Sequence, residues 1–505
     1  MIRYLFFTTG ARPWFDLAAE LHDKGVATPV IWIGDPRHEN AARRKFGQHV
    51  VHSMDRLVHF PWRVSDVDYS GINNDFFTSS EYYRAKDRAL KMMDRLDVYG
   101  TFSRLDREVC FKNICIFGLA QIEQAKPQVL FTTESPHTHA QYALYEICKY
   151  LGIPCFRLKP WLIVPALTIE SFDDGRMIVP STPKNHEIHE RIRCALKDYV
   201  RKIHVMGDSD AYETEYLNFQ RKSSSWKGQV TKYASKKFLH LWASRLYHRL
   251  KFMLRREYSP LSPSAASIVL FWFLTAAKRR YLNYNYAKHC EYSPDLTQKY
   301  IYFGLHYEPE RSTNPDGHEF HDQVLALIKL RSILPDNVLI YVKEHPSQFY
   351  KSMRGPQGRS PLFYAQLKNI RGVKLIGLNI HSMALSKNAL FVSTITGSLG
   401  NEAAILGKRV LIFGDAWYGG MPNVVRWRDG LTYNTLMEQP LQPHERIADY
   451  WIEEFNRHCI VGCHNTSGET RFQAYLTPEF RRLEFAELCS LFTEFFRHLQ
   501  LRVAL

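Results

Sequence analysis

No apolar run in this chain approaches the ~20 residues a helix needs to cross a bilayer. The longest, residues 264–277, spans only 14 positions. The apolar stretch at residues 1–10 is too short for a signal peptide and reads as a first buried strand. Cysteine is sparse: nine in 505 residues, odd in number and scattered. That excludes a disulfide framework and points to a reducing, cytoplasmic compartment. Cys459 and Cys463 flank Ile-Val-Gly, with His458 and His464 outside them, but no second ligand pair follows. They read as free thiols. No Asp-x-Asp motif stands near a predicted strand end, and no metal or other cofactor is expected. Internal repeats and low-complexity tracts are absent.

Acidic residues are missing from one place in particular. Residues 221–256 hold 11 Lys or Arg and no Asp or Glu. The net charge of +15 is therefore local, since about +4 is left for everything else. That distribution argues against a nucleic-acid-binding fold. Leu239, Trp242, Leu246, Leu250 and Met253 recur at helical spacing there, with Lys237, Arg245, Arg249 and Arg256 off that face. This is a basic amphipathic helix. Two readings stay open for 221–280: contact with a membrane surface, helped by the apolar 264–277 and by Lys278-Arg279-Arg280, or a buried insertion.

What is present is ample core material: 45% hydrophobic and 14% aromatic residues over a length that suits two or more domains. Strand and helix signals alternate in the first 170 residues. Residues 4–8, 30–33, 128–131 and 153–156 read as strands; 14–24 and 138–151 read as helices, stopped by Gly25 and Gly152. Residues 171–298 break the rhythm as a basic, largely helical insertion. The alternation resumes over 299–430, with strands at 300–305, 338–343, 373–376, 390–393 and 409–413. Residues 431–505 read as C-terminal helices. Repeated βαβ units imply doubly wound parallel sheets with ligands at the strand C-termini.

Four loops stand at such ends. Residues 132–137 include Glu134 and His137. His306-Tyr307-Glu308-Pro309-Glu310-Arg311 crowds carboxylates and cations after one strand, and could supply a general base or a nucleophilic carboxylate. In Lys343-Glu344-His345-Pro346, Pro346 fixes the backbone beside an imidazole able to stabilise a leaving phosphate. The stretch 393–402 holds Ser393, Thr394, Thr396, Gly397 and Ser398, then Glu402, and runs from strand into helix. Its hydroxyls and helix-start N–H groups suit an anion, and Glu402 suits a ribose. Ser398 as an ordinary N-cap is the alternative and is compatible with both.

At these residues the sequence resembles the bacterial capsule polysaccharide biosynthesis family, the GT-B enzymes that include the CMP-Kdo type. The stretches that carry it are 302–310, 342–346, 392–403 and Phe-Gly-Asp-Ala-Trp-Tyr at 413–418. CMP-sialic-acid transferases of the same fold pair a His-Pro motif with a later Ser/Thr motif around the CMP phosphate. The resemblance implies two Rossmann-type domains facing a cleft. It implies a metal-independent glycosyltransferase that takes Kdo or a nonulosonic acid such as pseudaminic acid from a CMP donor to a capsule or lipid-linked glycan. The family often has Gln where Glu308 stands; its catalytic acid falls on Glu310. Glu134 and His137 then face the acceptor by analogy, and Arg311, Lys343 and His345 neutralise the donor. Localisation at the inner face of the plasma membrane is expected. Two alternatives remain: a teichoic-acid-type transferase using a CDP-polyol, kept open by His137 and His139, and a non-catalytic capsule assembly protein.

Overall fold

The computed structural model describes residues 1–10, 13–59, 75–97, 99–172, 174–206, 221–225, 243, 265–309 and 312–503. The chain divides into two compact units. Residues 1–90, 107–200 and 448–505 form the first, and residues 91–106 and 201–447 the second. The basic amphipathic helix expected within 221–256 lies almost wholly outside the described residues.

In the first unit, strands β1 (Ile2–Phe7), β2 (Ala27–Gly34), β3 (Val51–Ser53), β4 (Val129–Thr132) and β5 (Cys155–Pro160) run parallel. β6 (Ala166–Ser171) returns antiparallel to β5. β1, β2 and β4 are mostly apolar runs, as expected of parallel strands covered on both faces. The helix Trp14–Asp23 buries Trp14, Leu17, Ala18 and Leu21 and stops where Gly25 adopts φ +64°. Thr138 caps the helix His139–Tyr150 by accepting from the Gln141 N–H at 3.2 Å.

The second unit is built on a wholly parallel sheet: β7 (Cys290–Glu291), β8 (Tyr300–Gly304), β9 (Leu339–Lys343), β10 (Val373–Ile376), β11 (Val392–Thr394), β12 (Val410–Ile412) and β13 (Val424–Arg426). A long helix, Ala265–His289, precedes it, so the apolar run at 264–277 is the first half of a helix. Among the described residues no helix is long and apolar enough to cross a membrane.

The sequence reading sets the last 75 residues apart as helices, and they do form the helices His444–His458 and Pro478–Val503. Between them, however, β14 (Ile460–Val461) joins the first unit's sheet, antiparallel to β6. Phe492 meets Phe131 at 4.6 Å and Phe496 meets Tyr4 at 4.9 Å, both tilted, and Phe495 packs edge-on against Phe156 at 4.8 Å. The chain's end is thus core of its beginning.

The sheet orders are β14-β6-β5-β4-β1-β2-β3 and β13-β12-β11-β8-β9-β10-β7. In the first, the chain winds outward from central β1 to β3 and then crosses to β4; in the second it winds from central β8 to β10, beside edge strand β7, and then crosses to β11. The topological switch points lie between β1 and β4 and between β8 and β11. Doubly wound sheets bind ligands at the strand ends of such points.

Candidate functional site

In the second unit the switch point is occupied by the loops after β8, β9 and β11. His306, which follows β8, is buried and sits across the gap. Its Nε2 accepts from the Thr396 N–H at 3.1 Å and lies 3.1 Å from Thr394 Oγ1. Burial pushes its imidazole down to about 3, helped by His345 and Arg359. The ring is therefore neutral, and it fastens the β8 loop to the β11 loop. His306 belongs to the motif read from sequence, but that reading singles out Glu310 and Arg311 from it. Both lie outside the described residues. Of the two motif carboxylates, Glu308 is buried, accepting from Gln323 Nε2 at 3.1 Å with Lys91 Nζ 3.5 Å away.

His345 caps the short turn Pro346–Gln348 by accepting the Ser347 N–H at Nδ1, 3.3 Å. Pro346 opens that turn because its missing donor costs nothing there. With Nδ1 an acceptor, Nε2 carries the proton. Burial, reinforced by Lys343 and Arg359, holds the ring down to about 4. His345 thus presents a neutral N–H donor at physiological pH. Its neighbour Glu344 points the other way into a buried pair with Arg359 (3.0 Å) and accepts from Tyr364 at 2.8 Å. That pair anchors the loop. Lys343, lowered to about 8 by burial, donates to Ile380 O at 2.5 Å and Ser382 Oγ at 3.2 Å. Two of its three protons are so engaged.

The stretch 393–402 divides by role. Ser393 donates to Leu411 O at 3.0 Å and Thr394 to Gly304 O at 3.3 Å, both stitching the sheet. Gly397, not Ser398, is the N-cap of the helix Ser398–Ile405, and no side chain caps it. A Cβ at Gly397 would come within 2.8 Å of Thr394 Oγ1 and 3.3 Å of the His306 ring, so the loop needs glycine to close. Thr396 is 8% exposed and its Oγ1 has no hydrogen-bond partner. Here, beside an uncapped helix start, is an orphaned hydroxyl: an arrangement that an anion would complete. One turn on, burial lifts Glu402 to about 7, against a hydrogen bond from Ser398. The 413–418 motif contributes Tyr418, whose hydroxyl donates to Gly397 O.

The first unit's switch point holds a second polar cluster. Glu134 Oε1 lies 3.4 Å from His137 Nε2. Its Oε2 accepts from Asn465 Nδ2 at 3.2 Å and lies 3.9 Å from His464 Nε2. Thr9, after β1, donates to His464 O, and Trp14 Nε1 does so at 3.1 Å. His139 points into the core at 1% exposure. The sequence reading finds Glu134 and His137 but not His464 as their neighbour, since 330 residues separate them. Among the described residues no group of three or more His, Cys, Asp or Glu could hold a metal ion.

Residues 315–443 match the family model described as capsule polysaccharide biosynthesis protein. The match spans the motifs at 342–346, 392–403 and 413–418, and the family resemblance read from them is borne out. No curated protein matches the chain. Among solved structures, the chain is similar to the KpsC β-Kdo 2,4-transferase of Thermosulfurimonas dismutans at 12% identity, covering 64% of this chain and 78% of that one, with a TM-score of 0.25. The KpsC β-Kdo 2,7-transferase of the same organism matches at 14% identity over 70% and 89%, TM-score 0.24. The UDP-GlcNAc 2-epimerase of Methanocaldococcus jannaschii matches at 11% identity over 90% and 99%, TM-score 0.22.

Proposed function

Taking residues 315–443 as a capsule polysaccharide biosynthesis domain, we propose that the protein is a glycosyltransferase. It moves an acidic keto sugar, Kdo or a nonulosonic acid such as pseudaminic acid, from a CMP donor to a capsule or lipid-linked glycan. The observation that carries this reading is the buried, partnerless Thr396 hydroxyl beside the uncapped start of the helix Ser398–Ile405. A phosphate there would accept from Thr396 Oγ1 and from the first helical N–H groups. His345 Nε2–H donates to the phosphate oxygen as the bond to the anomeric carbon breaks and the electron pair leaves with CMP. Glu402 accepts from a ribose hydroxyl. Arg311 and Lys343 supply positive charge to phosphate and sugar carboxylate. Glu310, from the resemblance, or Glu134 acts at the anomeric centre or on the acceptor hydroxyl. No metal takes part, so transfer persists in excess chelator.

The reading places the protein peripherally at the inner face of the plasma membrane. The helix Ala265–His289 supports this. Val269, Leu270, Trp272, Phe273 and Leu274 are exposed, Phe273 at 73%, and Lys278, Arg279 and Arg280 follow them. Apolar side chains beside a cationic cluster suit an anionic lipid surface.

The closest alternative, a CDP-polyol phosphotransferase, shares the His-Pro loop and differs in the donor. Incubation with CMP-Kdo, a CMP-nonulosonic acid or CDP-glycerol, with release of CMP as readout, separates them. Release from a CMP-keto sugar alone is expected. Release from CDP-glycerol alone overturns the donor assignment, and release from none of them favours a non-catalytic assembly protein.

A further inference from the structure

Two glycines let three loops of the second unit touch beside the Thr396 hydroxyl. A Cβ at Gly414, in the loop after β12, would stand 2.7 Å from Thr396 Cγ2 and 2.5 Å from Asp316 O. A Cβ at Gly317, in the loop after β8, would stand 2.5 Å from Thr313 O and 3.0 Å from Ile395 Cγ2. Neither position has room for a side chain. The Gly414 N–H donates to Ile395 O at 3.0 Å, and the Asp415 N–H to Asp316 O at 2.7 Å. The residue after each glycine, His318 and Asp415, is therefore fixed beside the Thr396 loop.

Those two residues meet. His318 Nε2 lies 2.9 Å from Asp415 Oδ2. Arg426 of β13 donates to the other oxygen, Oδ1, at 2.9 Å. A carboxylate only accepts, so the ring turns its Nε2–H to Asp415. Nδ1 is left without a hydrogen-bond partner among the described residues, and the side chain is half exposed. His318 holds this place in the left-handed region, at φ +48°. Glycine takes that backbone freely, whereas a residue with a Cβ is strained in it. An ion pair half in water adds little to stability, so the fold gains too little from Asp415 to explain a histidine here. Strain of this kind gathers at ligand sites.

The donor proposed above carries two anions. Only the ester oxygen and the anomeric carbon separate its phosphorus from its carboxylate carbon. A group that reads the carboxylate must therefore stand next to the groups that hold the phosphate, Thr396 and the start of the helix Ser398–Ile405. We infer that His318 binds the sugar carboxylate through Nδ1, that Asp415 positions the ring and that Arg426 positions Asp415. The inference rests on the acidic-donor reading and names a residue that selects for it. With the ligand carboxylate at Nδ1 and Asp415 at Nε2, the ring takes a second proton from water and bridges the two carboxylates as an imidazolium. Both of its hydrogen bonds are then charge-assisted.

Neither the true sugar nor the nucleotide is needed to test this. Phosphoenolpyruvate carries a carboxylate on the carbon that bears its phosphate ester, and ethyl phosphate lacks it. Both are titrated by NMR into the full chain, native and with His318→Gly or Asp415→Asn. The native protein is expected to bind phosphoenolpyruvate about tenfold tighter than ethyl phosphate. His318→Gly should abolish that preference, leave ethyl phosphate affinity unchanged and melt at the same or a higher temperature, because glycine relieves the backbone. Asp415→Asn should keep part of the preference. A preference unchanged in His318→Gly, or none in the native protein, overturns the inference. Equal loss of both affinities in His318→Gly overturns it as well, since the ring would then support the phosphate site rather than read the carboxylate. CMP binding on the same samples reports on the nucleotide. If CMP fails to bind while the preference for phosphoenolpyruvate still depends on His318, the cytidine reading falls and this one stands.

Discussion

A buried hydroxyl without a partner destabilises the free protein and favours any ligand that supplies an acceptor. Thr396 is in that position. Thr396→Val should weaken CMP binding by about tenfold while leaving thermal stability equal or higher. A structural hydroxyl would show the opposite: lower stability and unchanged affinity, readable by calorimetry and thermal melts on the same sample. Glu402 gives a pH signature. Its carboxyl ionises near 4.5 in the unfolded chain and near 7 in the fold, because burial disfavours its charge. The folded state therefore holds an extra proton between those values, and stability falls as pH rises through that window. Glu402→Gln should match the native protein at pH 4 and melt at higher temperature at pH 8, in thermal scans across that range. Equal melting temperatures at pH 8 would contradict the buried, charge-averse environment. At this scale the sequence was informative about which loops matter and less so about which atoms. Ser393 and Thr394 share their neighbours' chemistry, yet they spend their hydroxyls on the sheet. Gly397 takes the cap position expected of Ser398, where a side chain would collide with Thr394 Oγ1 and crowd the His306 ring. His306 itself was visible in its motif, but nothing local told that it would span to Thr396.

The elements of both sheets were legible because parallel strands covered on both faces are written as short apolar runs between glycine-stopped helices. The runs near 4, 130, 155, 300, 340, 392 and 410 all became strands. Very short elements were not. β14 is two residues long, and its place beside β6 depends on partners nearly 300 positions earlier. The helix Ala265–His289 extends well past the apolar run, since its second half is polar and aromatic rather than patterned. Its exposed first half leads to an element-scale prediction. The native protein should co-sediment with vesicles of anionic phospholipid and less with neutral ones. A Phe273→Ser, Leu274→Ser double variant should lose most of that binding while CMP affinity holds. Equal sedimentation of variant and native protein would remove this helix from membrane contact.

At the scale of the whole molecule, the chain closes its first unit with its last residues. Residues 448–505 supply β14 and the aromatic face of Phe492, Phe495 and Phe496 against Tyr4, Phe131 and Phe156. A chain ending at 447 would leave that face of the sheet in water, and it should be insoluble or lose its cooperative melting transition. Soluble, cooperatively melting protein would mean the first unit does not need its return segment. Each unit places polar residues at its own switch point, His306 with Thr394 and Thr396 in one, Glu134 with His137 and His464 in the other. The two-unit plan was expected from sequence; the return of 448–505 to the first unit was not, because helical periodicity records which face is buried and not against what. On the proposed function, the second unit's switch point is a cytidine-nucleotide site. Isothermal titration of the full chain with CMP, CDP, UDP and GDP tests it directly. Saturable binding with CMP tightest, weakened in Thr396→Val, is the predicted result. Preference for UDP or GDP, or CMP affinity unmoved by Thr396→Val, would contradict it.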